Sequence, residues 1–379
     1  MPARQKGMVI VVMLTIIILG SALLLVSGLN DNGWQRHNDT ETALALAQAR
    51  QALTGFAAAS QARPGELPCP DVDDDGVADY ASRLCVSLTG RLPWRTLGLN
   101  DLGDGGGERL WYAVSGNLHA NGNTPINSNT TGQLVLDGRA GFAAVIIAAR
   151  EVVTGQARNA ANRNNPRAYL EGDNATTGDD RFVSQGAQPF NDRLLALSSQ
   201  DLMALVERRV AGEIADRLQD YYSRNGFFPY AASLGDSPDY YCDDALRRGL
   251  LPLAIGAGFI PGSGVACAGL PNWNTPLPAW FITNGWNEVI YYTVAAPCTA
   301  GSALCNGAGS LITVNNLAAP DNDKAALIIT GGASLPGQAR PPSAVADLLD
   351  SAENTDGDDI YESLAPASTN NDQFVALTP

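Results

Sequence analysis

The second half of this 379-residue chain repeats its first, and no other feature limits its fold as strongly. Ala143-Ala144-Val145-Ile146-Ile147, leading to Gly155-Gln156-Ala157-Arg158, recurs as Ala325-Ala326-Leu327-Ile328-Ile329, leading to Gly337-Gln338-Ala339-Arg340. The internal spacing is the same and eight of the sixteen positions are identical, too many for composition alone. Further blocks recur in the same order. Glu108-Arg109-Leu110-Trp111-Tyr112-Ala113-Val114 matches Glu288-Val289-Ile290-Tyr291-Tyr292-Thr293-Val294, each downstream of a Leu-Pro step at Leu92-Pro93 and Leu277-Pro278. Gly178-Asp179-Asp180, Asn191-Asp192 and Leu197 return as Gly357-Asp358-Asp359, Asn371-Asp372 and Leu377. Gly65-Glu66-Leu67-Pro68 is matched more loosely by Gly226-Phe227-Phe228-Pro229. Two lobes of one plan are predicted, over residues 61–200 and 201–379.

Each copy opens with a helical pattern. Leu46, Ala49, Leu53 and Phe56 fall at helical spacing, as do Leu202, Leu205, Val206, Val210, Ile214, Leu218 and Tyr221, with Ser198 and Asp201 able to form a capping box. Aromatic and β-branched runs predict strands at Leu110–Val114, Gln133–Leu136 and Phe142–Ala148, and at Val289–Val294, Leu311–Val314 and Ala325–Thr330. A helix laid on one face of an antiparallel sheet is an α+β architecture. With 45% hydrophobic and 17% charged residues the body can bury a sizeable core, while 39 glycines and 22 prolines call for many turns.

Residues Met8–Leu29 carry no charge, and 22 residues at about 1.5 Å each reach roughly 33 Å, enough for a hydrocarbon core. Arg4 and Lys6 before this run and Asp31 after it predict a single-pass helix with a cytoplasmic amino end and an exported body. A cleaved secretory signal is the competing reading, but the run is long for one and no clean small-x-small site follows. Residues 30–60 are expected to continue the helix outward as a stalk, with a break around Asn30-Asp31-Asn32-Gly33. Six cysteines suit an oxidising compartment. Their spacing suggests local bridges, Cys69 with Cys85, Cys242 with Cys267 and Cys298 with Cys305, out of 15 possible connectivities. Zinc is the weaker alternative, because no short Cys-x-x-Cys step is present.

Arg4-Gln5-Lys6-Gly7, followed directly by Met8-Val9-Ile10-Val11-Val12, resembles the leader of type IV pilins and type II secretion pseudopilins. The resemblance implies a leader over residues 1–7, cleavage between Gly7 and Met8 by a prepilin peptidase, methylation of the new amino end, and sister pilin or pseudopilin subunits as partners through the amino-terminal helix. It also implies an inner-membrane anchor, residues 8–29, carrying two tandem pilin-like lobes. Most members of the family have glutamate where this chain has Val12, a gap that resembles the minor pseudopilin placed at a filament tip. A carboxylate in hydrocarbon needs a partner, and a subunit with nothing above it can omit the charge. Gly65-Glu66-Leu67-Pro68-Cys69-Pro70-Asp71, then Cys85, then Leu92-Pro93-Trp94 and Gly107–Val114, also resemble uncharacterised prepilin-type proteins, which bring no activity.

The sharpest local motif is Asp71-Val72-Asp73-Asp74-Asp75-Gly76-Val77-Ala78-Asp79. Carboxylates on alternate residues around a glycine turn are what a hard cation with six to eight oxygen ligands requires, so Asp71, Asp73, Asp75, Val77 and Asp79 are candidate Ca2+ ligands. Ser82 stands at position twelve without a bidentate carboxylate, which predicts modest affinity. An acidic turn without metal is the alternative. Asn354–Glu362 offers oxygen ligands too, but its glycine is misplaced, and Asp173–Asp180 is equally suited to a capped turn. Trp273, Trp280 and Trp286, with Phe281, Tyr291 and Tyr292, form either the core of a small sheet or an exposed stacking platform.

Lysine and arginine number 24 against 39 acidic residues, for a net charge of −15, which excludes a phosphate-backbone partner. Gly103-Asp104-Gly105-Gly106-Gly107 lacks the Lys-Ser/Thr of a phosphate loop, no Gly-x-Ser-x-Gly elbow or His-Glu-x-x-His helix occurs, and only His37 and His119 are present. No enzyme is expected. The sequence therefore predicts a low-copy or tip subunit of a type IV pilus or type II secretion-type filament, the alternative being an anchored periplasmic or surface protein for binding or adhesion.

Overall fold

The alanine-rich segment Gly33–Ala59 is helix α1, about 40 Å long. Thr42, Ala45, Leu46, Ala49, Leu53 and Ala57 are buried along one side of it, at the three- and four-residue steps of a helix. The structure, a computed structural model, describes residues 33–119, 124–235, 240–256, 267–302, 305, 311–317 and 320–379. These described residues divide into two compact units, one of 33–60, 66–119 and 131–202, the other of 61–65, 124–130 and those from 203 onward.

In the first unit a small hairpin, β1 (Tyr80–Ala81) with β2 (Leu84–Cys85), precedes β3 (Thr89–Arg91), β4 (Trp111–Val114), β5 (Gly132–Leu136), β6 (Arg139–Ala148), β7 (Arg181–Phe182) and β8 (Arg193–Ser198). The sheet runs β3-β4-β6-β5-β7, and β8 also pairs with β6. The long strand β6 serves two neighbourhoods. Its residues from Ala144 onward lie between β4 and β8, while Arg139–Phe142 pair with β5. Strand β7 runs parallel to β5. Continuous apolar sequence in β4 and the end of β6 fits strands covered on both faces. Helix α1 packs on β6 and β8.

The second unit carries helix α2 (Ser199–Asn225) for most of its length. The Asp201 N–H donates to Ser198 Oγ at 3.0 Å, which caps the helix start. Leu202, Val206, Val210, Ile214, Leu218 and Tyr221 are its buried stripe. The strands are β9 (Arg248–Leu250), β10 (Ile290–Val294), β11 (Thr313–Asn315), β12 (Ala326–Thr330), β13 (Ile360–Glu362) and β14 (Gln373–Leu377), with a short helix α3 (Ala279–Thr283) before β10 and α4 (Ala352–Thr355) before β13. The order β9-β10-β12-β14 is antiparallel, and β11 pairs with β13 in parallel.

The units share one strand plan. Trp111 stands opposite Ile147 in the first and Tyr291 opposite Ile329 in the second. Ala144 faces Leu197 as Ala326 faces Leu377. Even the minor parallel pairs correspond, β5 with β7 and β11 with β13.

Two expectations are corrected. The chain is a mostly sheet α+β fold with several sheets, in place of a long transmembrane and stalk helix followed by two pilin-like lobes. No helix among the described residues is long and apolar enough to cross a membrane. Helix α1 cannot serve, because Arg36, His37, Asp39, Glu41 and Arg50 interrupt it with charge and titratable groups. The single-pass inner-membrane location with a cytoplasmic amino end is corrected on the same finding. The segment Met8–Leu29 lies outside the described residues, as do Gly7 and Met8 of the processing site. Three disulfides point to an oxidising compartment.

Candidate functional site

The acidic loop begins where Asp71 leaves an isolated bridge to β3. Its N–H donates to the Arg91 carbonyl at 3.0 Å and its own carbonyl accepts from Arg91 at 2.7 Å. From that fixed point the side chain organises the turn. Asp71 Oδ1 accepts the N–H groups of Asp73 (3.1 Å) and Asp74 (2.6 Å), and Oδ2 accepts that of Gly76 (2.6 Å). Burial pushes the Asp71 carboxyl above its ordinary value, against the pull of the N–H groups of Gly76, Asp74 and Asp73. Gly76 has φ of +89°, and a Cβ there would meet the Trp94 ring at 2.5 Å. Only glycine fits.

Asp71, Asp73 and Asp79 each offer a carboxylate oxygen, all within 4.8 Å of one another. Such spacing suits a cation whose oxygen ligands lie about 2.3–2.6 Å from it. Asp79 Oδ2 also accepts the Val72 N–H at 2.7 Å, closing the loop on itself. Asp75 is not among these three carboxylates; its Oδ1 accepts the Val77 N–H at 2.7 Å in a local turn, and Val77 could offer only its main-chain carbonyl. Arg109 steadies the outer side. It pairs with the Asp74 carboxylate at 2.9 Å and donates to the Asp74 carbonyl at 2.8 Å, while its fork grips both oxygens of Asp101 at 2.8 and 2.7 Å. The three-carboxylate group fits a hard cation.

The cysteines pair as Cys69–Cys85, Cys242–Cys267 and Cys298–Cys305. Cys69 and Cys85 lie near His119, but as a disulfide they hold no thiolate for zinc. The first bridge fastens the acidic loop to the β1–β2 hairpin.

The remaining candidates resolve into scaffold. Trp273, Trp280, Trp286, Phe281, Tyr291 and Tyr292 are buried, so they form core and no stacking platform. In Asn354–Glu362 the Asp359 carboxylate is held by Arg247 and Arg248, and Asn354 is tied to the main chain of Glu362. The turn Gly103–Gly107 is closed by the buried Asp104 carboxylate, which accepts from Gly106, Glu108 and Arg150. A Cβ on Gly105 would come 2.1 Å from the Asn38 carbonyl oxygen, so α1 approaches as closely as it does only because that residue is glycine.

One arrangement occurs twice and sequence reasoning did not assign it a role. In the first unit the Glu171 N–H donates to Asp192 Oδ2 at 2.9 Å, the Asn191 and Asp192 N–H groups both donate to Glu171 Oε2 at 3.0 Å, and Gln156 Nε2 donates to Glu171 Oε1 at 2.6 Å. In the second the Asp350 N–H donates to Asp372 Oδ2 at 3.0 Å, the Asn371 N–H to Asp350 Oδ2 at 2.7 Å, and Gln338 Nε2 to Asp350 Oδ1 at 2.9 Å. Burial raises both outer carboxyls, Asp192 and Asp372, the latter to about 7. Each clasp ties the turn after a 3-10 helix to the residues leading into the last strand, β8 or β14. The signal was present, since Gln156 and Gln338, and Asn191-Asp192 and Asn371-Asp372, recur in the repeat.

Comparison with protein-family models, with curated proteins and with solved structures yields no match.

Proposed function

We propose that this chain is a non-catalytic, low-copy structural subunit of a pilin- or pseudopilin-type filament, processed between Gly7 and Met8 by a prepilin peptidase, with sister subunits as its partners. The observation that supports the reading is the Arg4-Gln5-Lys6-Gly7 run set against Met8-Val9-Ile10-Val11-Val12. Two units of one strand plan, each with a buried clasp and at least one disulfide, suit a part whose work is to hold its shape outside the reducing cell interior. Asp71, Asp73 and Asp79 would hold a Ca2+ ion, which would brace the loop electrostatically and supply no chemistry to a substrate. Mass spectrometry of the mature amino terminus, from cells with an active prepilin peptidase, tests the assignment. An N-methylated Met8 is expected; a retained residue 1–7 leader overturns it and leaves a binding or adhesion protein as the reading.

A further inference from the structure

Arg91 is a buried cation in the sheet, and no carboxylate among the described residues lies within ion-pair distance of it. Its guanidinium is stacked between the rings of Trp111, at 4.1 Å, and Tyr169, at 4.2 Å. Its in-plane partners are main-chain carbonyls. Nε and Nη2 donate to Arg163 O at 3.2 and 2.7 Å, and Nη1 donates to Arg109 O at 2.8 Å. Carbonyl dipoles and ring faces orient a guanidinium but do not neutralise it, and Asp74 and Glu108 act on it only from beyond ion-pair distance, so part of the cost of burying the charge is left uncompensated. The fold does not demand arginine there. In the second unit the corresponding residue, opposite Tyr291 as Arg91 is opposite Trp111, is Leu250.

Arg91 lines a cavity of about 180 Å³ in the first unit, together with Thr89, Trp111, Asn164 and Thr177. That volume has room for several waters or a small organic acid. Two further wall residues carry polar atoms without a partner among the described residues, the indole N–H of Trp111 and Oδ1 of Asn164. Asp71 is also in the wall, but its carboxylate already accepts three N–H groups of its own loop. We propose that this cavity is a binding site for a small hydroxy-carboxylate, whose carboxylate supplies Arg91 with a direct counter-charge and accepts from the Trp111 indole N–H, and whose hydroxyl donates to Asn164 Oδ1.

Calorimetric titration of the purified full chain with sodium acetate, sodium glucuronate, inorganic phosphate and neutral glucose tests this. Saturable binding of a carboxylate, at least about tenfold tighter than glucose, is expected. Arg91→Leu, the residue of the second unit, should abolish it. Because that change also releases the Arg163 and Arg109 carbonyls, Asn164→Ala provides a second variant that leaves Arg91 in place; it removes the acceptor for a ligand hydroxyl, and about a threefold weakening of glucuronate binding, with acetate unaffected, is expected. Absence of saturable carboxylate binding, undiminished binding by both folded variants, or phosphate binding tighter than either carboxylate overturns the assignment.

Discussion

Asp372 Oδ2 accepts the Asp350 N–H at 3.0 Å, pinning the chain ahead of β14 to the turn behind Leu349. The other oxygen, Oδ1, is buried without a partner, as is Oδ1 of Asp192 at the same place in the first unit. A carboxylate with one oxygen stranded in the interior is strongly disfavoured, whereas a neutral carboxyl is tolerated there. Burial therefore favours the neutral acid in the clasp, and it does so in both units.

The pH dependence of stability follows from that state. Burial raises Asp372 to about 7, and Glu207, buried on α2 and hydrogen-bonded to Gln373, also to about 7. Unfolded, each ionises near 4, so between about pH 4 and 7 the folded chain binds more protons than the unfolded one and stability falls as pH rises. The melting temperature should drop between pH 5 and pH 8. Asp372→Asn, which cannot ionise, should lessen the slope and melt higher than the parent at pH 8. An unchanged slope would sink the protonated-clasp account.

Two buried tyrosines perform one task in the two units. Tyr112 donates to the Pro68 carbonyl at 3.0 Å, and Tyr292 to the Pro229 carbonyl at 2.8 Å, each tying its sheet to the segment before the first bridge. Replacing either by phenylalanine strands a buried carbonyl, at about 1 kcal/mol. Chemical denaturation of Tyr112→Phe and Tyr292→Phe should show losses of similar size. A loss confined to one of them would mean that the units are not braced alike.

The Cys69–Cys85 bridge closes a loop with a sequence separation of 16. Constraining the unfolded chain over such a loop stabilises by about 3 kcal/mol. The Cys69→Ser, Cys85→Ser double variant should unfold at lower denaturant by that amount. A difference below about 1 kcal/mol would indicate that the acidic loop holds the hairpin without the bridge.

What could be seen in the sequence depended on how local its physics is. The stripe from Leu202 to Tyr221 and the apolar runs of β4, β6, β10 and β12 announce themselves, because helical spacing and β-branched runs are properties of neighbours along the chain. The parallel pairs β5–β7 and β11–β13 do not, since two- and three-residue strands such as Arg181–Phe182 carry no periodicity. The loop Asp71–Asp79 is legible as spacing, but only the folded loop shows that Asp71, Asp73 and Asp79 are brought together while Asp75 is spent on the Val77 N–H. Arg91 was hidden for the opposite reason. Nothing around Thr89-Gly90-Arg91 hints that this arginine lies between two rings that are remote in sequence.

Calcium gives the last test, because the loop arrangement favours some carboxylates over others. Asp71 is committed to three N–H groups, so replacing it would disturb the turn with or without metal. Asp73 is the cleaner probe: its Oδ1 accepts only the Asp75 N–H, at 3.2 Å, and Asp73→Asn keeps that acceptor while removing the charge. A site with a dissociation constant near 1 mM, in 10 mM Ca2+, stabilises the fold by about 1.4 kcal/mol. The parent chain should therefore melt a few degrees higher with calcium than with a chelator, and Asp73→Asn should show no such rise. Asp75→Asn, outside the three-carboxylate group, should respond as the parent does. If Asp73→Asn keeps the full response, the cation lies elsewhere, and Asp71, Asp73 and Asp79 form an acidic turn and nothing more.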